Sequence, residues 1–134
     1  MLLPHGTVIA LVDGNKFELF RNSGNEAEPH LEKQEPPRLD TSNPSAGSHH
    51  ESGKGSHGRH QDEEEVHSAA AVDWLNRQVL EHRIENLVVI AAPRTLGGMR
   101  PHYHRQLEQV LLKELPKDLT GSQGPAIVSA LRGR

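Results

Sequence analysis

The chain has 134 residues, of which 34% are hydrophobic, with one Trp, one Tyr and two Phe, so it has room for one domain with an aliphatic core. Its 15 Lys and Arg against 18 Asp and Glu give a formal net charge of -3, which argues against a nucleic-acid-binding surface that dominates the molecule. The absence of cysteine excludes disulfides, thiol catalysis and zinc sites built on thiolates.

The amino-terminal segment predicts a buried strand and a hairpin. Thr7 to Val12 form a continuous apolar, β-branched run, typical of a strand covered on both faces. Asp13-Gly14-Asn15 is a tight-turn signal, and Lys16 to Arg21 alternates in polarity, so the two strands are predicted to pair. Glu28 to Leu31 is expected to add a short third strand. The apolar run is too short to span a bilayer and lacks signal-peptide features, which favours a cytoplasmic protein without membrane insertion.

Residues 32 to about 65 form a low-complexity insertion. Its apolar residues are Leu39 and Ala46 among Pro, Ser, Gly, His and charged residues, so it cannot bury enough apolar surface to offset the entropy of ordering it. We therefore expect one domain over residues 1–134 that carries this insertion as one long disordered loop. Without a rigid element to hold its histidines, we expect no specific metal site and no cofactor. The histidines concerned are His49, His50, His57 and His60.

The second half predicts a helix that leads into a second buried strand. Asp62 to Glu65 place negative charge at the expected helix N-terminus, and the helix is predicted from about Val66 to Arg83. Leu87 to Ala92 is another continuous apolar run, and a helix between two such runs indicates an α/β fold. The stripe expected to face the sheet at helical spacing is Val72, Leu75 and Val79.

The carboxy-terminal third predicts three further helical segments. Thr95 is expected to cap a short turn of helix at Leu96 to Arg100, followed by a helix from Pro101 to near Leu115. Lys117 to Thr120 would be a brief edge segment. A last short helix is predicted from about Pro125 to Leu131.

One candidate binding site follows the second buried strand. Arg94 comes directly after that strand, at the usual place for ligands in α/β sheets. With Arg100, His102 and Arg105 it would form a small anion-attracting patch that suits a phosphate or carboxylate, with Arg100 or His102 as the second contact. The favoured interpretation is that Arg94 and Arg100 are solvated or pair with carboxylates of the acidic tract.

Asp13 is the candidate for metal-dependent hydrolysis. It closes the first buried strand, where nucleases of the ribonuclease H type carry a catalytic carboxylate. Such chemistry needs several carboxylates converging on two ions, and Glu18 is the one obvious partner. An aspartate that serves the hairpin turn is the favoured interpretation.

Several blocks of the sequence, in order and with compatible spacing, resemble one bacterial family. Together they are similar to the bacterial host attachment protein family, whose members are described as required for attachment to host cells. The resemblance implies a non-enzymatic protein that acts by binding an unknown partner. The blocks are Leu3 to Gly14, Lys16 to Phe20, Asp73 to Arg77, Leu87 to Gly97 and Leu115 to Thr120.

That family is in turn similar to bacterial relatives of the middle domain of archaeal and eukaryotic class-1 peptide chain release factors. This likeness implies a ribonuclease H-like mixed sheet with packed helices and a long loop before the first helix. In release factors the loop carries Gly-Gly-Gln, which promotes peptidyl-tRNA hydrolysis. The nearest segment here runs from Gly58 to Gln61 without paired glycines, so the hydrolytic activity is not carried over. The alternative function is a ribosome- or tRNA-associated factor, with nucleic acid as a partner only through this resemblance, and a metal-dependent hydrolase comes third.

Overall fold

A five-stranded mixed sheet forms the centre of this computed structural model, which describes residues 3–40 and 56–133, with residues 56–62 by their backbone alone. The elements in chain order are β1 (Val8–Val12), β2 (Phe17–Asn22), β3 (Leu31–Gln34), α1 (Ser56–Leu80), β4 (Leu87–Ala91), α2 (Pro93–Met99), a 3₁₀ turn (Arg100–His102), α3 (Arg105–Val110), β5 (Leu111–Leu115) and α4 (Gly124–Leu131).

The strand order is β3-β2-β1-β4-β5, with β1 at the centre. β2 pairs antiparallel with both β1 and β3, whereas β1 pairs parallel with β4 and β4 parallel with β5. Every residue of β1 and of β4 is buried, as their uninterrupted apolar runs predict. The expected hairpin and the mixed α/β class are both confirmed.

Helices cover both faces of the sheet. On one face, side chains of β1 such as Ala10 pack with α1, α2 and α3 in one apolar cluster. On the other face, Ile9 and Leu11 pack with α4, which contributes Ile127 and Leu131. The alternation of side chains along β1 therefore divides the core into two layers.

Helix α1 confirms the predicted buried stripe but not the predicted ends. It begins at Ser56, well before Val66, so the acidic residues lie inside the helix and the insertion is shorter than expected at this end. Glutamate is a good helix former, and the acidic tract therefore extends the helix instead of preceding it. Residues 41–55, the middle of the insertion, lie outside the described residues.

The carboxyl end of α1 is set by a Schellman motif. His82 adopts a left-handed φ of 62°, and its N–H donates to the Val79 carbonyl at 3.0 Å while the Arg83 N–H donates to the Gln78 carbonyl at 2.8 Å. These two bonds satisfy carbonyls of the last turn, so the helix stops at Leu80 and not at Arg83.

The third strand lies later in the chain than predicted, at Leu31–Gln34 instead of Glu28 to Leu31. The Glu28 N–H donates to the side-chain oxygen of Asn25, and the His30 N–H donates to that of Asn22. Asparagine side chains thus hold Glu28 in a turn, and the strand starts beyond it. The insertion is correspondingly shorter at this end too.

The structure contradicts the predictions between Thr95 and Thr120 most clearly. Helix α2 already starts at Pro93, after Ala92, so Thr95 is not the cap. The segment expected to be helical as far as Leu115 instead ends its helix at Val110, and the next five residues form β5. Pairing with β4 outweighs helix propensity there. This strand, and not the segment 117–120, forms the sheet edge next to β4, and β3 forms the opposite edge.

Leu75 and Leu80 on helix α1 test the layer between this helix and the sheet. Leu75 is 0% exposed and Leu80 is 42% exposed. Leu75→Ala should lower the free energy of unfolding by about 2–5 kcal/mol, because it leaves a cavity against the sheet. Leu80→Ala should change it by less than about 0.5 kcal/mol. Urea denaturation of both variants measures the difference, and equal losses would contradict the packing described here.

Candidate functional site

Two adjoining cavities open at the carboxyl ends of β1 and β4, and we call them together the carboxyl-end cleft. One, of about 230 Å³, is lined by Arg94 and Thr95 of α2 and by Glu64 and Ser68 of α1. The other, of about 450 Å³, is lined by the β1–β2 turn with Glu64. Both include Gly14, where a Cβ would lie 2.7 Å from Cγ of Glu64, so α1 and the turn approach closely. Ligands bind at this position in many α/β sheets.

The Asp13 side chain stabilises the turn at one wall of the cleft. Its Oδ1 accepts hydrogen bonds from the Asn15 and Lys16 amides at 2.9 and 2.6 Å, and its Oδ2 accepts one from the Thr120 hydroxyl at 3.1 Å. Both carboxylate oxygens are therefore engaged in holding the hairpin turn and the segment before α4. The interpretation of Asp13 as a turn residue is confirmed.

His67 of α1 ties the helix to the same turn. Its Nδ1 lies 3.0 Å from the Asp13 carbonyl oxygen, and since a carbonyl can only accept, Nδ1 carries the proton. Burial of the ring lowers the pKa of His67, and the hydrogen bond and negative charge of Asp13 offset this only in part. The imidazole is therefore neutral at pH 7, and it serves as a fixed hydrogen-bond donor.

Arg94 lies where the sequence predicts, at the carboxyl end of β4. Its side chain is exposed and shares the lining of the cleft with Glu64 and Glu65. Within the described ranges it forms no ion pair and no side-chain hydrogen bond. Its guanidinium is therefore available to an anion, although two carboxylates stand in the same cleft.

Arg100 is not in the cleft with Arg94. Its Nε and Nη2 donate to Oε1 of Glu114 at 3.1 and 2.9 Å, while the Tyr103 hydroxyl donates to Oε2 at 2.7 Å. These bonds fasten the 3₁₀ turn to β5. Burial raises the pKa of Tyr103, and its hydrogen bond to Glu114 raises it further.

His102 is also outside the cleft, at the exposed end of the 3₁₀ turn. Its carbonyl accepts a hydrogen bond from the Asn76 amide at 3.0 Å, and the Asn76 oxygen accepts one from the His104 N–H at 3.0 Å. The structure therefore does not bring the predicted anion-binding residues together, since of Arg94, Arg100, His102 and Arg105 only Arg94 lines the cleft. The 3₁₀ turn redirects the chain after α2, which helical spacing alone could not indicate.

Gly58 and Gln61 lie in the first turns of α1 and not in a loop, and the Gln61 side chain lies outside the described part of the structure. The sequence analysis missed Glu64 as a lining residue because it started the helix too late, and it placed Ser68 in the helix without assigning it to the cleft. Their i, i+4 spacing was the available signal, and the Ser68 hydroxyl donates to the Glu64 carbonyl at 2.7 Å.

No grouping of three or more His, Asp and Glu side chains in residues 3–40 and 63–133 is suited to hold a metal ion. Of the insertion histidines, His49 and His50 and the side chains of His57 and His60 lie outside the described residues. In the described ranges, no helix has both the length and the apolar character needed to cross a membrane.

Comparison with known families gives one match over most of the chain. The model of bacterial archaeo-eukaryotic release factor family 12 matches residues 6–131, a range that includes all five strands and every described helix. No curated protein matches the chain.

Glu114 makes stability depend on pH. Burial raises the pKa of its carboxyl, but hydrogen bonds from Arg100 and Tyr103 outweigh burial, and the pKa lies below the usual range. A lowered folded-state pKa contributes stability above the ordinary glutamate pKa, and this stability is lost as pH falls through the lowered value.

Tyr103→Phe should therefore lower the free energy of unfolding by about 1 kcal/mol at pH 7. The variant loses a hydrogen bond to a charged carboxylate, and the partial exposure of Glu114 reduces the stability that this bond contributes. The loss relative to the parent protein should shrink as Glu114 is protonated. Denaturation between pH 7 and pH 3 measures it, with Arg94→Ala as a control expected to match the parent. A loss that stays constant with pH would contradict the assignment.

Proposed function

The chain belongs to bacterial archaeo-eukaryotic release factor family 12, and from that membership we propose that it is a ribosome- or tRNA-associated factor that acts by binding. The observation that carries the proposal is the extent of the family match, from residue 6 to residue 131. The match runs through both central strands and the helices that frame the carboxyl-end cleft.

The proposed factor does not hydrolyse peptidyl-tRNA. Release factors use paired glycines before the glutamine, and glycine reaches backbone conformations that other residues rarely adopt. Here Arg59 and His60 stand between Gly58 and Gln61, and the segment lies within the backbone of α1. A regular helix does not provide the paired-glycine loop that release factors use, so this segment gives peptidyl-tRNA hydrolysis no support.

Arg94 is the proposed contact for a phosphate. It is exposed at the carboxyl end of β4 and has no ion-pair partner in the described ranges, whereas Arg100 is held by Glu114. A guanidinium with free donors suits a phosphate oxygen pair. With a net charge of -3 the protein should bind RNA moderately and lose it as salt rises.

Attachment to host cells and a cytoplasmic location, both expected from the sequence, stay predictions. Metal-dependent hydrolysis stays the third alternative, and the engaged Asp13 carboxylate gives it no support. The unknown protein partner that the host-attachment resemblance implies is likewise untested.

The proposed function predicts that the protein pellets with purified ribosomes in low salt and is released in high salt. Arg94→Ala should reduce the bound fraction several-fold, and Arg94→Lys should restore only part, because an ammonium does not reproduce a two-pronged contact. Arg105→Ala is the matched control, since Arg105 is also exposed and lies on α3, away from the cleft lining.

Two results would contradict the proposal. One is that neither ribosome pelleting nor binding of purified tRNA occurs at any salt concentration. The other is release of peptide from peptidyl-tRNA by the protein, which would make it a hydrolase instead of a binding factor. A matching loss in the Arg94 and Arg105 variants would remove the specific role of Arg94.

A further inference from the structure

A separate groove of about 260 Å³ lies on the face of the sheet that α1 covers. It is near Val8, the first residue of β1, and so roughly 16 Å along the strand from the carboxyl-end cleft. Its polar lining consists of Trp74 and Gln78 from α1, Arg21 from β2, and Gln34 and Glu35 at the end of β3. The rest of its lining is aliphatic.

The aromatic ring in this groove is fixed in place. Trp74 is half-buried, and its ring meets that of Phe17 edge to face, with centroids 5.7 Å apart and planes inclined by 75°. Such a contact orients the indole without enclosing it. The groove therefore presents a held aromatic surface and not a mobile side chain.

The polar groups around the ring are largely uncommitted. In the described ranges, the side chains of Trp74, Gln78 and Glu35 make no hydrogen bond. Arg21 donates to the carbonyls of Gly6 at 3.2 Å and Arg83 at 3.5 Å, which holds its guanidinium and leaves other N–H groups of the five free. Donors and an acceptor thus surround one aromatic ring.

We propose that this groove binds one unpaired nucleobase of single-stranded RNA, stacked on Trp74 and hydrogen-bonded by Gln78 and Arg21. The inference deepens the proposed function and rests on it, since that function makes RNA the expected partner. Proteins read unpaired RNA bases by stacking on aromatic rings and by hydrogen bonds to base edges.

The chemistry of the groove favours a base over a phosphate. Glu35 offsets the charge of Arg21 and would repel an anion, whereas a base edge presents both donors and acceptors to carboxylate, amide and guanidinium. The volume is smaller than the ~300–1,000 Å³ of ordinary small-molecule sites, so it suits a single planar ring system.

The chain offers a direct readout because Trp74 is its one tryptophan. The intact protein is titrated with an unstructured RNA hexanucleotide and with an abasic oligonucleotide of equal length and charge, and its fluorescence is followed. Saturable quenching by the first, with binding at least about tenfold weaker for the second, is the expected result.

Gln78→Ala should weaken binding of the hexanucleotide roughly two- to twelvefold, the worth of a neutral hydrogen bond. Gln109→Ala, exposed on α3, is the matched control and should bind as the parent does. Trp74→Leu should weaken binding of labelled RNA roughly five- to 150-fold in fluorescence polarisation, with partial rescue in Trp74→Phe. If the leucine variant does not fold, the comparison of Gln78→Ala with Gln109→Ala tests the nucleobase site instead.

Equal responses to the base-containing and abasic oligonucleotides would overturn the inference, as would parental binding by Gln78→Ala. Quenching of Trp74 by RNA-free ribosomal proteins but not by RNA would indicate that the groove binds a protein, and this would also overturn the inference. The inference and the proposed function fail separately. If the protein pellets with ribosomes but RNA does not quench Trp74, only the nucleobase site is excluded. If RNA quenches Trp74 but the protein does not pellet with ribosomes, only the ribosome association is excluded.

Discussion

The parallel pairing of β1 with β4 is the constraint on which the other elements depend. The register runs from Val8 opposite Leu87 to Val12 opposite Ala91, and every residue of both strands is buried. Two adjacent strands without a polar face need cover on both sides, which α1 to α3 supply on one face and α4 on the other. Parallel pairing also brings both carboxyl ends to the same edge. The cleft there follows from the pairing of two apolar runs that are far apart in the chain.

Hydrogen bonds of Asp13 hold the segments around the carboxyl end of β1 in place. One residue engages the turn amides of Asn15 and Lys16, the hydroxyl of Thr120 near α4 and, through its carbonyl, the ring of His67 on α1. A side chain used in this way fixes the cleft wall and leaves its carboxylate little freedom for chemistry. A ligand of the kind proposed for this edge would therefore contact groups that are not so engaged. A guanidinium of this kind stands on α2, beyond the end of β4.

The sequence predicts those features that depend on local pattern and misses those that depend on pairing across the fold. The central strands were predictable because their apolar runs have no other stable environment, and Arg94 was placed correctly because it follows one of them directly. Strand β5 was not predictable, because Leu111 and Leu115 also fit a helical pattern, and only pairing with β4 makes this segment a strand. Arg100 was misplaced for the same reason: its contact with Glu114 exists only once β5 has formed. The groove at Trp74 had no local signal, because its lining comes from four separate elements, β1, β2, β3 and α1.

The central claim is that this release-factor relative works by association with ribosomes. Affinity purification of the tagged protein from its native cell, with and without ribonuclease treatment, tests it most directly. The account predicts that ribosomal RNA and ribosomal proteins are recovered together and that ribonuclease removes most of them. Recovery of cell-surface components without ribosomal material, unchanged by ribonuclease, would contradict it.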